Sequence, residues 1–497
     1  MTFSNTARLE MELGGTTPGT QYDRMEIAGQ ASLGGTLDVV LINPFRPGHG
    51  NVFEIMTFGS RTGTFTTTSG LDLGSRLTLV PTYTGTNLTL TAAQGGSGTW
   101  GVDASGNASV PTNWTGAIPN GPTDTATFGT VITDARKVTV DQPLTLAGMR
   151  FDDNNRYTVG GPNALTLQTT GADAAIQVVQ SSAEGHSISA PLVLAKPLDI
   201  DTGTGTKLDL AGVLNNAGGR TLTKTGPGTL AISGPQTHGP GATLAVAGGT
   251  VDLNSDAGTS SIFSLTVSVD GAVNANFGAT QHLAALNLAT GESQLTPGGA
   301  KVLVTRGLGI DPAAARLDLT DNDMIVHYTG GTPHLPSAEL ENIKAWIAAG
   351  YDWMSWAGNG IVSSAAAPAP ITYGLGYAQN DMLFLPYDVF SGEPVDSSTI
   401  LVKFTYSGDL NLDGCVDDND VTFFNLFYDG GITTSHYWNE GDIFGYDGRV
   451  DDNDVTILGL TYGLGIGDPL SGAVPEPATL ALLLVGAAAG MRRRAKL

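Results

Sequence analysis

The stretch Leu222-Thr223-Lys224-Thr225-Gly226-Pro227-Gly228-Thr229-Leu230-Ala231-Ile232-Ser233-Gly234, with Gly248-Gly249-Thr250 shortly after it, decides how the body of this chain is built. Brief β-forming runs are broken by glycine and proline. The same texture returns at Thr243-Leu244-Ala245-Val246, Thr250-Val251-Asp252-Leu253 and Leu265-Thr266-Val267-Ser268-Val269. Strands this short cannot enclose a large core singly. Stacked as rungs of a parallel β-helix, each buries its apolar face against the next. Residues 96–325 are therefore read as a β-strand repeat region of β-helix type.

Upstream, residues 1–95 show the same alternation of strand and turn. Thr36-Leu37-Asp38-Val39-Val40-Leu41-Ile42 and Val52-Phe53-Glu54-Ile55-Met56 are separated by Gly48-His49-Gly50. A β-sandwich or jelly roll is the alternative architecture, above all for this segment. Downstream, residues 326–400 read as an α+β closing segment. Ser337 is placed to cap a helix, Glu339 and Glu341 favour its dipole, and Leu340, Ile343 and Ile347 recur at helical spacing up to Gly350. Trp346, Trp353 and Trp356 follow closely. They are read as core anchors, with a sugar-stacking platform as the alternative.

Composition agrees with a mostly β, modular chain. In 497 residues there are 68 glycines, and only 14% of residues are charged. The 23 basic residues are outnumbered by 47 acidic ones, a net charge of −24, which argues against nucleic acid as a partner and makes divalent cations the natural counterpart. The single cysteine, Cys415, allows no intramolecular disulfide.

The acidic surplus is concentrated in a duplication. Val-Asp-Asp-Asn-Asp-Val-Thr occurs at 416–422 and again at 450–456, a period of 34 residues. Read backward, the first copy completes a calcium loop of EF-hand type. Asp409, Asn411, Asp413, Asp417 and Asp420 stand at positions 1, 3, 5, 9 and 12, Gly414 at the turn, and the Cys415 carbonyl at position 7. The second copy keeps Asp447, the Arg449 carbonyl, Asp451 and Asp454, but Gly445 and Ile443 occupy positions 3 and 1. Asp442 lies one residue too early. A one-residue insertion or bulge that still lets Asp442 reach the ion would explain this, so one firm and one weaker Ca²⁺ site are expected. Val421, Phe424 and Tyr428 align with Val455, Leu458 and Tyr462, so each loop should run into a helix whose apolar stripe packs on its twin.

Loop followed by helix, duplicated over residues 401–470 with Asp at position 12, resembles the type I dockerin domain. That resemblance implies two calcium-dependent units and a cohesin-type partner. Its partner-contacting positions 10 and 11 fall on Asp418-Asn419 and Asp452-Asn453, whose identity in the two copies would allow binding in two orientations. The Leu222–Gly234 segment resembles the autotransporter-associated β-strand repeat of bacterial surface proteins.

Residues 471–497 hold Val474-Pro475-Glu476-Pro477, an uncharged Leu- and Ala-rich stretch from Ala478 to Met491, and the basic cluster Arg492-Arg493-Arg494. The apolar stretch is shorter than the roughly 20 residues of a full membrane span. Its flanks supply a rigid Pro-Glu-Pro and a cytoplasmic anchor. The tripartite pattern resembles the PEP-CTERM sorting signal, a transient transmembrane tail. It implies cleavage by an exosortase near Pro475-Glu476-Pro477 and delivery to the cell surface or its polysaccharide matrix. The sequence beginning at Met1 lacks a secretory signal, so an export signal is expected upstream.

The expected function is a cell-surface structural or adhesive protein with a calcium-stabilised docking module. The alternative is a dockerin-bearing component of a polysaccharide-degrading assembly, or a β-helix polysaccharide lyase or glycosidase. For catalysis the candidates are Asp152-Asp153 and Asp321-Asn322-Asp323 with His327, all equally explained by turn chemistry. The seven histidines show no zinc-ligand spacing. No Gly-x-Ser-x-Gly elbow or P-loop is evident.

Overall fold

The structure is a computed structural model that describes residues 1–467 apart from 49, 75, 76 and 331. Among the described residues the chain is mostly β, with a parallel β-solenoid of about nine turns and three α-helices. It divides into two compact units, one comprising Met1–Asp201 with Thr206–Leu208 and the other Thr202–Gly205 with the chain from Asp209 onward.

In the first unit, strands Arg8–Leu13, Thr36–Leu41 and Thr67–Ser69 form a parallel sheet. Met25–Leu33 pairs in parallel with Val52–Gly63, and Asn87–Gln94 and Leu77–Tyr83 continue that second sheet antiparallel. The chain therefore steps between two sheets as a coil does before a hairpin closes the second. Strict alternation in Arg8–Leu13, with Leu9, Met11 and Leu13 inward, supplies one wall of a core shared with Phe53, Ile55 and Leu90. Parallel rungs follow. Arg136–Thr139, Tyr157–Gly160 and His186–Ile188 pair in register, as do Leu144–Asp152, Leu165–Leu167 and Leu192–Leu194. Phe128, Phe151 and His186 stack along the interior, at ring separations of 4.9 and 4.8 Å.

The second unit contains the stretch that opened the sequence reading. Thr221–Thr225 is followed in parallel register by Ala242–Val246, Leu265–Val269 and Ala285–Leu288, which places Leu222, Leu244, Val267 and Leu286 in one buried column. Thr229–Ile232, Thr250–Leu253, Asn274–Phe277 and Gly291–Leu295 build the facing ladder. The turns stack as well. A Cβ on Gly249, at φ +69°, would meet the Gly228 carbonyl oxygen at 2.2 Å, so only glycine lets successive rungs approach there. Burying Lys224 among these rungs is tolerated because its Nζ donates to the carbonyls of Thr225, Gly226 and Gly248 at 2.7, 2.8 and 2.9 Å.

The unit closes with a different sheet. Gln281–Leu283, Val302–Thr305 and Asp323–His327 run parallel, then Thr399–Tyr406 and Tyr373–Gln379 add antiparallel strands. Helix α1, Ala338–Tyr351, begins at Ser337, whose side chain accepts the Leu340 N–H at 3.1 Å. Leu340, Ile343 and Ile347 are buried as the spacing requires. Gly350 proves to be a packing position: a Cβ there would lie 2.1 Å from the Ile361 carbonyl oxygen. The three tryptophans divide. Trp356 is a core residue at 1% exposure, Trp346 is half-buried, and Trp353 is 84% exposed.

Two further helices, α2 (Asp418–Phe427) and α3 (Asp452–Thr461), follow the two acidic loops. Among the described residues no helix is long and apolar enough to cross a membrane. The stretch read as a sorting signal, including Pro475, Glu476, Pro477, Arg492, Arg493 and Arg494, lies outside the described residues.

Candidate metal centre

Each acidic loop hangs on its last aspartate. Asp420 is fully buried; its Oδ1 accepts the N–H groups of Leu410 (2.7 Å) and Asn411 (3.3 Å), and its Oδ2 accepts that of Asp417 (2.8 Å). Asp454 repeats the pattern, with Oδ1 accepting from Ile443 (3.0 Å) and Phe444 (2.8 Å), and Oδ2 from Asp451 (2.9 Å). In both copies the aspartate therefore ties the start of the loop to the first turn of the following helix. Asp417 and Asp451 cap those helices through capping boxes with Asp420 and Asp454.

These contacts also fix the register of the second loop. The two N–H groups held by Asp420 belong to the residues after Asp409, and the two held by Asp454 belong to the residues after Asp442. Asp409 Oδ2 accepts the Gly414 N–H at 2.9 Å, five residues on; Asp442 Oδ2 accepts the Gly448 N–H at 2.9 Å, six residues on. Asp442 is thus the counterpart of Asp409, with one extra residue between it and the turn. The registers rejoin at Leu412 and Tyr446, both buried and both left-handed, at φ 65° and 52°.

The rest of the first loop is closely knit. Asp413 N–H is held by Asp409 Oδ1 (3.0 Å) and Asn411 Oδ1 (2.9 Å), and Asp413 Oδ1 accepts from Cys415 (2.9 Å). In the second loop Asp447 Oδ1 accepts from Arg449 (2.9 Å), but the residue matching Asn411 is Phe444, which supplies no oxygen donor, with Gly445 as the extra residue.

Electrostatics follow from this burial. Burial, then the Asp413 charge, raises the Asp409 carboxyl above its usual range, and burial with Asp409 raises Asp420. Asp442 is pushed up to about 8 and Asp454 to about 6, in each case chiefly by burial. Groups raised in this way take up protons closer to neutrality than an ordinary carboxyl does, and a bound cation would favour their charged form. Each loop also has a lysine that sequence spacing gave no reason to expect. Lys403 is buried and donates to the Leu412 carbonyl at 3.0 Å. Lys344, on α1, donates to the His436 carbonyl and stands 3.8 Å from Asp442 Oδ2. Trp438 was likewise missed; its Nε1 donates to the Asp409 carbonyl at 2.7 Å.

The donors suit a hard divalent cation: carboxylates, one amide oxygen and backbone carbonyls, with no imidazole. Cys415 contributes no thiolate, since burial and then the neighbouring aspartates push its thiol up to about 12 and its Sγ donates to Gly465 O at 3.2 Å. Buried Asp442 Oδ1 has no hydrogen-bond partner, an orphan acceptor where a cation would supply one. Among the described residues no three His, Cys, Asp or Glu side chains converge as a ready cluster. An EF-hand-type sphere draws on amide and carbonyl oxygens as well.

The positions assigned to partner binding have intramolecular work. Asp418 Oδ1 accepts the Tyr462 hydroxyl and Asp452 Oδ1 that of Tyr428, both at 2.6 Å, a reciprocal clasp across the helix pair. Asn419 and Asn453 beside them are exposed. The two helices line a shared cavity of about 460 Å³ through Phe424 and Leu458, with Tyr428 and Tyr462 just past their ends. Both tyrosines lie at the period of 34, so the repeat itself carried this signal.

Elsewhere, the catalytic candidates serve structure. Asp152 is bound to Arg150 (2.8 Å) and Gln180 (3.0 Å), and Asp153 to the turn at Asn155 (2.7 Å). Asp321 holds Gly298 N–H at 2.8 Å, and buried Asp323 accepts from Ser391 and from Phe404 N–H. No family model, curated protein or solved structure matches this chain.

Proposed function

We propose that this protein is a cell-surface structural or adhesive protein: a β-solenoid body joined to a calcium-stabilised docking module of the dockerin type. One observation carries the reading. Two loops that differ in length by one residue nonetheless repeat the same cradle, with Asp409 matched by Asp442 and Asp420 by Asp454, each carboxylate buried beyond what a metal-free turn requires. Calcium bound by the first loop through Asp409, Asn411, Asp413, the Cys415 carbonyl, Asp417 and Asp420 would neutralise that burial. The second loop, with fewer donors and Lys344 nearby, would hold calcium less tightly.

In this reading the exposed Asn419 and Asn453, beside the Asp418 and Asp452 clasps, face a cohesin-type partner. The tail directs exosortase-dependent sorting to the surface or its polysaccharide matrix. Calcium titration of the full chain by calorimetry tests the centre of the proposal, with one tight and one weaker event expected. Two equal events would remove the distinction between the loops, and no heat at all would remove calcium from the account.

A further inference from the structure

The cavity between α2 and α3 has an apolar floor. Val421, Phe424, Val455 and Leu458 line it, and Val455 is exposed together with Tyr428 and Tyr462 at its ends. Leu426 and Leu460, at matching positions of the two helices, are 71% and 63% exposed. A Cβ built on Gly459, which also lines the cavity, would meet no atom within 4 Å, so there is room on the α3 side. Exposed apolar surface gathered in this way marks a binding face.

Its rim is acidic. Tyr428, at the end of α2, reaches Asp452 at the start of α3, and Tyr462 reaches Asp418 at the start of α2. The helices are therefore antiparallel, and each end of the groove carries an exposed carboxylate. Neither Asp418 nor Asp452 is among the loop donors, so both stay charged when the loops are filled. Among the described residues no basic side chain lines the groove. The complementary ligand is an apolar segment followed by positive charge.

The chain itself supplies such a segment. The described residues end at Gly467, five residues beyond Tyr462, and the Gly465 carbonyl accepts the Cys415 thiol of the first loop at 3.2 Å. The eleven residues from Gly467 to Ala478 can span up to ~36 Å, more than twice the ~15 Å length of either helix. Ala478 to Met491 is uncharged and contains Leu480, Leu482, Leu483 and Leu484; Arg492, Arg493, Arg494 and Lys496 follow. Tethered this closely, the chain's own tail meets the groove at an effective concentration on the order of mM, which the tail of a second copy does not reach.

We propose that in the intact chain Ala478–Met491 folds back into the α2–α3 groove, its leucines on the apolar floor and its basic cluster at the acidic rim. Asp418-Asn419 and Asp452-Asn453 are then withheld from a partner until the tail is drawn into the membrane or removed, since one stretch cannot occupy the groove and a bilayer at once. The inference deepens the docking reading and rests on it for this consequence.

The test uses the full chain with Cys415→Ser, Leu484→Cys in the tail and one cysteine in the groove, at Asn425→Cys or Gly459→Cys. Ile262→Cys, at an exposed solenoid position, replaces the groove cysteine as the control. Under mild oxidation both groove pairs should form an intramolecular disulfide roughly tenfold faster than the control pair. Exchanging Arg492, Arg493 and Arg494 for glutamate should slow them roughly threefold, and unchanged rates would overturn the rim contact. Equal rates at groove and control overturn the proposal, as do disulfides found only between copies, or none. The two groove cysteines sit on different helices, so a variant that fails to fold leaves the other to decide. Calcium calorimetry of the same proteins keeps the readings apart. Rapid cross-linking without calcium binding supports the seating and removes the calcium module, whereas calcium binding without cross-linking overturns the seating alone.

Discussion

The solenoid rungs and the acidic loops both bury charge, but they settle it differently. Among the rungs Lys224 reaches three carbonyl oxygens, and His282 lies between Asp256 (2.7 Å) and Glu393 (3.0 Å), so each charge is answered within the chain. In the loops, carboxylates are buried against one another and only partly answered by backbone N–H groups, with Asp442 Oδ1 left over. The rungs also leave buried atoms without partners, Asp153 Oδ2 among them, but only the loops gather several carboxylates whose burial raises them together. The same contrast, smaller, separates the loops: the first has a full donor set, while the second has Phe444 in place of Asn411 and places Lys344 beside Asp442.

The largest effect should come from the aspartate that gathers the first loop. Asp420→Ala strands three backbone N–H groups and removes a helix cap, which should lower stability by roughly 3 kcal/mol. It should also erase the tight calcium event. Asp454→Ala should cost a similar amount of stability but remove only the weaker event. Calorimetry of the two variants side by side measures this, and loss of the tight event from Asp454→Ala would invert the ranking of the loops.

A self-contained charge should respond to pH and not to calcium, and His282 offers the case. Burial pulls its imidazole down, but the hydrogen bonds it donates to Asp256 and Glu393 outweigh burial and raise it above its ordinary value. Its folded value exceeds its unfolded one. The stabilisation is therefore complete below the unfolded value of about 6.5 and is lost as pH rises through the folded value. Removing the ring in His282→Ala should cost about 2 kcal/mol and flatten this alkaline loss. Thermal unfolding across pH 5–9, with and without EDTA, checks it. Because the loop carboxyls titrate in the same range, the readout is the difference between the wild-type and His282→Ala profiles, and a difference that calcium shifts would show that His282 is not independent of the loops.

Lysine 344 sharpens the comparison between the loops. If its ammonium occupies part of the field a cation would use, Lys344→Met should tighten the weaker calcium event by about tenfold, or ~1.4 kcal/mol, without changing the tight one. Unchanged affinity at both loops would assign their difference wholly to the donor lost where Phe444 stands in place of Asn411.

Much of this was legible in the chain before folding. Short runs around Leu222–Gly234 foretold parallel stacking because a rung needs only its neighbours, and the heptapeptide repeat located both loops and both helices. The insertion at Asp442 was visible as a slipped register. What could not be read came from long-range packing. Lys344 lies 98 residues before Asp442, a separation that no local pattern spans. The fates of Trp353 and Trp356 depend on one left-handed turn that neither residue type encodes. Gly350 read as a helix stop, yet it is required by the approach of Ile361, a contact made only once the sheet is assembled.

The smallest effect is the most discriminating about symmetry. Tyr428 and Tyr462 clasp Asp452 and Asp418 with the same 2.6 Å bond, and all four side chains are exposed. Exposed hydrogen bonds of this kind contribute little each, because water competes for both partners. Tyr428→Phe and Tyr462→Phe should therefore destabilise the helix pair slightly and equally. If the loops differ in calcium occupancy, the equality should fail in one direction. The Tyr462→Phe change releases Asp418, beside the firmly bound first loop, and the Tyr428→Phe change releases Asp452, beside the weaker one. At calcium levels that fill only the first loop, α3 lacks the ion's support at its N-terminus, and Tyr428→Phe should then be the more damaging. Hydrogen exchange of α2 and α3 at limiting and saturating calcium separates these outcomes, and equal protection loss at both levels would mean that the loops fill together.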